Sequence, residues 1–117
     1  MMITILPNCS QAIVPLRKVE DYLLNFTHRQ GKSKALFFSK FGYSRSNSRQ
    51  LVEALREFAC DSLVIEIEQK LPFGVRMTTE GRLRTPDSRN PSVRIGWFFD
   101  EFQSIPRLIT VIPKKSK

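Results

Sequence analysis

LVEALREFACDSLVIEIEQ, residues 51–69, changes its hydrophobic period partway along. Leu51, Val52, Leu55, Phe58 and Ala59 recur at helical spacing, while Glu53, Glu57, Arg49 and Arg56 make a solvated face. Beyond Ala59 the period falls to two: Leu63, Ile65 and Ile67 alternate with Val64, Glu66 and Glu68. The stretch therefore predicts an amphipathic helix, with Ser44 as its N-cap, followed by a strand over Leu63 to Gln69.

Upstream the chain reads as helix. Leu16 to Asn25 carries Val19, Leu23 and Phe26 on one face, flanked by Leu16 and Leu24, with Glu20 and Asp21 opposite. Thr27 to Gly31 breaks the pattern, and Ser33 to Phe41 resumes it with Ala35, Phe38 and Phe41. Gly42 then supplies a left-handed stop. Before these helices, Ala12 to Val14 is a short apolar run closed by Pro15, either an edge strand or a lead-in.

Downstream the chain reads as strand. Leu71, Pro72 and Gly74 suit a turn; Val75 to Thr79 suits a second strand with Val75 and Met77 inward. Glu80-Gly81 reads as a tight turn returning Arg82 to Thr85 as a third strand. After a polar loop over Pro86 to Pro91, Val93, Ile95, Trp97 and Phe99 alternate along a fourth. An acidic loop, Asp100 to Pro106, leads to Leu108, Thr110 and Ile112 in a fifth. Helices first and strands afterwards predict an α+β domain: three N-terminal helices packed on one face of a four- to five-stranded antiparallel sheet. A single domain spans 1–113, and 114–117 is a basic disordered tail.

With 19 Lys and Arg against 11 Asp and Glu, the formal net charge is +8, which speaks of anionic partners. No apolar run approaches the ~18 to 20 residues of a spanning helix, so no membrane partner is expected. The first residues, MMITILPN, are too short and too weakly charged for a secretory signal. Cys9 and Cys60 do not form a disulfide framework and lack zinc spacing, so both read as structural thiols in a reducing, cytoplasmic setting. One histidine and no ligand cluster leave no histidine-rich metal site and no cofactor.

Chemistry concentrates around that histidine, His28, followed by Gly31, Lys32 and Lys34 at a helix entrance. An imidazole there suits proton transfer near neutrality, and free helix N–H groups with a lysine suit an anion. A loop histidine satisfying a neighbouring carbonyl is the plainer alternative. Lys32 and Lys34 do not share a helical face, and Lys34 is the better candidate to face a site. In the strand half, Arg94 and Arg107 fall out of phase with the apolar rows, which makes them candidates for a cationic patch on an open face. Arg76, Arg82 and Arg84, with Lys32, are expected as further contacts to a polyanion such as RNA. Thr110, in phase with Leu108 and Ile112, needs a partner in the core or at the rim of a site. Trp97 reads as core.

RKVEDYLLN, then H-x-x-G-K-S-K-A-x-x-F, G-Y-S-x-x-N, V-R-I-G-W and P-R-L-I-T-V-I-P together resemble an uncharacterised family of small bacterial domains. Its members stand alone, including in cyanobacteria, or form the C-terminal domain of polymorphic toxins. The likeness runs from Leu6 to Pro113 and falls on His28, Gly31, Lys34, Ala35, Phe38, Arg94, Trp97, Pro106, Arg107, Leu108 and Thr110. Gly96 departs from it, since relatives carry a small hydroxyl residue or alanine there. The terminal T-x-x-P strand and the element order also resemble the ribonuclease-toxin fold of barnase, EndoU, colicin D and RelE. The second histidine of EndoU-type enzymes is missing. The resemblance implies a metal-independent ribonuclease toxin cutting RNA by 2′-hydroxyl attack. His28 would move the proton, Lys34 with Arg94 or Arg107 would stabilise the phosphorane, and Thr110 would line the site. Its partners would be RNA and a small acidic neutralising protein. The competing expectation is a non-enzymatic binding module, either an antitoxin or immunity partner or an RNA-binding accessory.

Overall fold

Helix becomes strand where the period changes. A helix over Ser48–Asp61 (α3) ends at Ser62, whose hydroxyl and amide both donate to the Phe58 carbonyl, at 2.6 and 3.0 Å. Strand β1, Leu63–Lys70, starts at the next residue. The computed structural model describes residues 4–101 and 104–114; residues 115–117 of the expected basic tail lie outside the described residues. Leu51, Leu55, Phe58 and Ala59 are buried, as their spacing predicts. Ser44 heads a 3-10 turn, Arg45–Asn47, that leads into α3, and it forms a reciprocal capping box with Asn47.

The first helix is shorter than its pattern suggests. Leu16–Lys18 (α1) runs into a π-helical turn, Val19–Leu23, closed by the Leu24 amide donating to the Val19 carbonyl at 2.9 Å. The wider turn lets Leu23 and Leu24 both join Val19 in the core. It also ends the helix before Phe26, which is 47% exposed rather than on the buried stripe. Helix α2, Lys32–Lys40, buries Ala35 and Phe38, and Gly42 follows it at φ 99°.

The strands β1, β2 (Gly74–Arg82), β3 (Ser92–Asp100) and β4 (Arg107–Pro113) form one antiparallel sheet in the order β1-β2-β3-β4. Two expectations are corrected. Glu80 and Gly81 do not turn; they continue β2 and pair with Arg94 and Val93. Glycine is used at 81 for close approach: a Cβ there would sit 3.1 Å from the Ser62 Cβ. Arg82 to Thr85 gives no further strand, because Thr85 bonds to both Asp87 and Asn90 and closes a loop after Arg82.

Met77, Val93, Ile95, Trp97, Phe99, Leu108 and Val111 are buried in one cluster with Val19, Leu23, Phe38, Leu51, Leu55 and Phe58. Trp97 donates its indole N–H to the Thr79 hydroxyl at 3.1 Å, so its polar atom is satisfied inside the core. The pairing puts Arg76, Thr78, Glu80, Arg94, Gly96, Phe98 and Ile112 in the opposite row. Thr110 needs a correction. The register shifts between Gly96 and Trp97, so Leu108 pairs with Trp97 but Thr110 pairs with Gly96. The bulge breaks the alternation and moves Thr110 out of the Leu108 row.

The two edges differ. Ile13 bridges to β4 in parallel, with its amide on the Pro106 carbonyl and its carbonyl receiving the Leu108 amide, both at 2.9 Å. At the β1 edge the amide of Val64 donates to Thr4, and Leu63, Ile65 and Ile67 stay 57, 47 and 45% exposed.

The expected free thiols are also corrected. Cys9 and Cys60, 51 residues apart in sequence, are joined in a disulfide across Cα atoms 5.1 Å apart. Spacing could not reveal this, because only the fold returns the end of α3 to the 3-10 turn Cys9–Gln11. The pairing removes the free-thiol argument for a reducing compartment. Among the described residues no helix is long and apolar enough to cross a membrane.

Candidate functional site

The connector before α2 is built by side chains that replace missing backbone partners. Asn25 accepts from the Thr27 amide and hydroxyl at 2.9 and 2.7 Å. Two residues on, His28 Nδ1 accepts from the amides of Gln30 and Gly31 at 3.0 and 2.9 Å, and its carbonyl receives the Lys32 amide at 3.0 Å. The imidazole thus acts as the cap of the turn that opens α2.

Gly31 is required by close packing. A Cβ on it would lie 2.0 Å from the carbonyl oxygen of Tyr22, a backbone atom that has no freedom to retreat. This contact clamps the connector onto the π-helical turn and brings His28 edge-on to the Tyr22 ring, centroids 5.0 Å apart. Tyr22 Oη stands 3.3 Å from the Thr110 hydroxyl, and Lys18 Nζ lies 5.5 Å from the Tyr22 ring centre. Lys18, Tyr22, His28, Gln30, Ile109 and Thr110 line a groove of ≈ 410 Å³ along the β4 edge. The bulge at Ile109 that displaced Thr110 is what delivers its hydroxyl here.

Of the residues expected to carry chemistry, His28 and Thr110 meet in this groove. The cations largely go elsewhere. Lys34 donates to the Val111 carbonyl at 2.7 Å, capping the outer side of β4, and Lys32 is exposed. Arg94 pairs with Glu80 at 2.8 Å; that bond, with the one from Lys114, holds the Glu80 carboxyl below its ordinary value. Arg107 pairs with Asp100 and lies over the Phe98 ring. Arg84 pairs with Glu57, and Arg82 holds the carbonyls of Asn90 and Arg89 at 2.8 and 2.9 Å.

Arg76 is different. Its guanidinium lies over Gly96, where an added Cβ would meet Nη2 at 2.9 Å, and its buried Nε has no hydrogen-bond partner among the described residues. Gly96 pairs with Thr110, so this guanidinium rests one strand in from the groove. Glycine at position 96 therefore makes room for an arginine. Sequence reading passed over Lys18 and Tyr22. Their spacing of one helical turn was visible, but that Tyr22 reaches β4 was not.

The class is an α+β domain in which three helices precede a four-stranded antiparallel sheet, with a groove where connector and last strand meet. The chain belongs to the family described as Domain of unknown function (DUF6883), whose model matches residues 5–115 and so spans every residue of the groove. No curated protein and no solved structure matches the chain.

Proposed function

We propose that this protein is a metal-independent endoribonuclease of a bacterial toxin system, cutting RNA by attack of its own 2′-hydroxyl, with the groove as its site. One observation carries the reading: His28 and Thr110, from opposite ends of the chain, line a single groove with Lys18 and Tyr22. An ammonium, an imidazole and two hydroxyls suit a phosphodiester, whose oxygens accept hydrogen bonds and whose charge increases in the transition state. In this reading the helices cover one face of the sheet. RNA then crosses the other, where Arg76, Arg94 and Arg107 share a row, and Lys32 adds charge at the entrance to α2. The net charge of +8 supports a polyanionic ligand. The Cys9–Cys60 bond favours a delivered toxin, which passes an oxidising space before meeting cytoplasmic RNA.

The test is incubation of purified protein with total RNA in chelator, wild type beside Lys18→Ala and Tyr22→Phe. Wild-type cleavage that drops in both variants is expected. Intact RNA in every pool would overturn the enzyme reading. Five phosphate contacts would also give log affinity a slope of roughly −3.5 against log salt.

A second reading, a non-enzymatic binding module, is favoured by a separate observation. Arg84, Arg94 and Arg107 are each tied to a carboxylate, while Leu71 and Phe73 stand 79 and 71% exposed in the turn that follows β1. A protein partner, such as a small acidic neutralising protein or its toxin counterpart, would use those surfaces. Binding of RNA without cleavage, or capture of a partner lost on Phe73→Ser, would mark it.

A further inference from the structure

We infer that His28 serves the groove as a fixed neutral hydrogen-bond donor, addressed to a phosphate oxygen, and not as the group that takes up a proton. The inference rests on the reading of the groove as an RNA site and changes the part played by its central residue. A neutral imidazole has one N–H and one lone pair, and the bond made by one nitrogen decides what the other presents. Here Nδ1 accepts two backbone amides, Gln30 at 3.0 Å and Gly31 at 2.9 Å. Both are donors, so Nδ1 carries the lone pair and Nε2 carries the hydrogen.

Placing a proton on Nδ1 would oppose two N–H groups to a third and undo the turn that opens α2. The lock is built into the connector. The Gly31 amide is one of its two jaws, and Gly31 is itself pinned against the Tyr22 carbonyl with no room for a side chain. Nε2 is the only nitrogen left for a ligand, in a groove where Lys18 also offers only donors and where Tyr22 and Thr110 have hydroxyls. Such a site favours an acceptor, the non-bridging oxygen of a phosphodiester. A preorganised N–H aimed at developing charge is worth about 10²- to 10³-fold in rate.

Two substitutions separate the possibilities, because each keeps one half of the imidazole. His28→Asn places an amide oxygen at the position of Nδ1 and preserves the cap, but leaves nothing at Nε2. His28→Gln places an amide N–H near Nε2 and gives up the cap. The donor assignment expects His28→Asn to fold with an unchanged melting midpoint and to lose about 10²-fold or more of its cleavage of an end-labelled single-stranded RNA. His28→Gln should melt lower and retain more cleavage than His28→Asn. Full activity in His28→Asn would reduce His28 to a structural cap and overturn the inference. Equal loss in both variants, with one limb of the wild-type pH–rate profile missing, would restore proton transfer and also overturn it.

The tautomer is read independently of catalysis, by long-range ¹H–¹⁵N correlation of the imidazole in the wild-type protein alone. A lone-pair Nδ1 and a protonated Nε2 are expected, with the Nε2 resonance shifting on addition of the same RNA. An Nδ1–H or mixed tautomer would overturn the inference even in an active ribonuclease. A locked tautomer in a protein that binds no RNA would leave the lock standing and overturn the ribonuclease reading with the assignment of the ligand.

Discussion

The two edges of the sheet receive different treatment. At β4, Ile13 bridges the strand, Lys34 caps the Val111 carbonyl, and Tyr22 meets the Thr110 hydroxyl. At β1, among the described residues, a single amide, that of Val64, reaches Thr4, and a bulge at Ile65 leaves apolar side chains in solvent. An open edge invites pairing with other chains, and a bulge and charged neighbours such as Glu66, Glu68 and Lys70 are the usual defences. The β4 edge is instead covered by polar groups from the helical half, and the covering creates the groove. The groove lies where one half of the chain finishes the hydrogen bonding of the other. The strand arginines suggest a free cationic patch in sequence, but Arg94 and Arg107 are tied to the carboxylates of Glu80 and Asp100.

The largest test of this contrast is the disulfide, which tethers the turn preceding Ile13. A bond closing a loop of 51 residues is worth about 4 kcal/mol on the chain-entropy model. Cys9→Ser with Cys60→Ser should lower the urea midpoint accordingly, and the Leu108 amide should lose hydrogen-exchange protection before the β2–β3 amides do. Uniform loss across the sheet would mean that the β4 edge is not separately held.

Next comes Gly31→Ala, which forces a methyl group into a backbone carbonyl. Overpacking of this kind costs about 3 kcal/mol, and the Tyr22 and His28 aromatic resonances should shift together. A stable variant with unshifted resonances would break the clamp that joins connector to groove.

Tyr43 locates the alkaline limit of stability away from both edges. Burial pushes its phenol up to about 12 from 10.0, and its hydroxyl donates to the Arg84 carbonyl at 2.7 Å. The folded state keeps a proton that the unfolded chain releases sooner. The contribution is therefore complete below pH 10 and lost as pH rises towards about 12. Tyr43→Phe should cost about 1 kcal/mol at neutral pH and flatten the decline above pH 10 in chemical denaturation.

The smallest effect belongs to the β1 edge. Ile65→Lys should change stability by no more than about 0.5 kcal/mol and raise solubility, by light scattering at high concentration. A large loss of stability would show that β1 is not an open edge.

Much of this was legible in residue order. Leu51, Leu55 and Phe58 announce α3, the alternation after Ala59 announces the sheet, and His28 with Gly31 marks the connector. Each is a local statement: periodicity reports which side of one element is apolar, and a glycine reports that space or φ is constrained. Other features depended on contacts between distant residues. The Glu80-Gly81 pair imitates a turn but serves a close approach to Ser62. Thr110 reads as in phase with Leu108, in the core or at the rim of a site, until the bulge at Ile109 takes it out of that row. Arg94 and Arg107 read as free charge until Glu80 and Asp100 arrive across the strands.

By itself, then, the sequence determined the three helical stretches, the strands after them and the α+β class, because these follow from spacing within a single helix or strand. Tertiary structure alone decided that Cys9 meets Cys60, that Tyr22 reaches Thr110, and that Arg76 lies over Gly96. The physical reason is common to all three. Each contact joins residues apart along the chain, and its geometry is set by how the elements pack and pair, which no local pattern encodes.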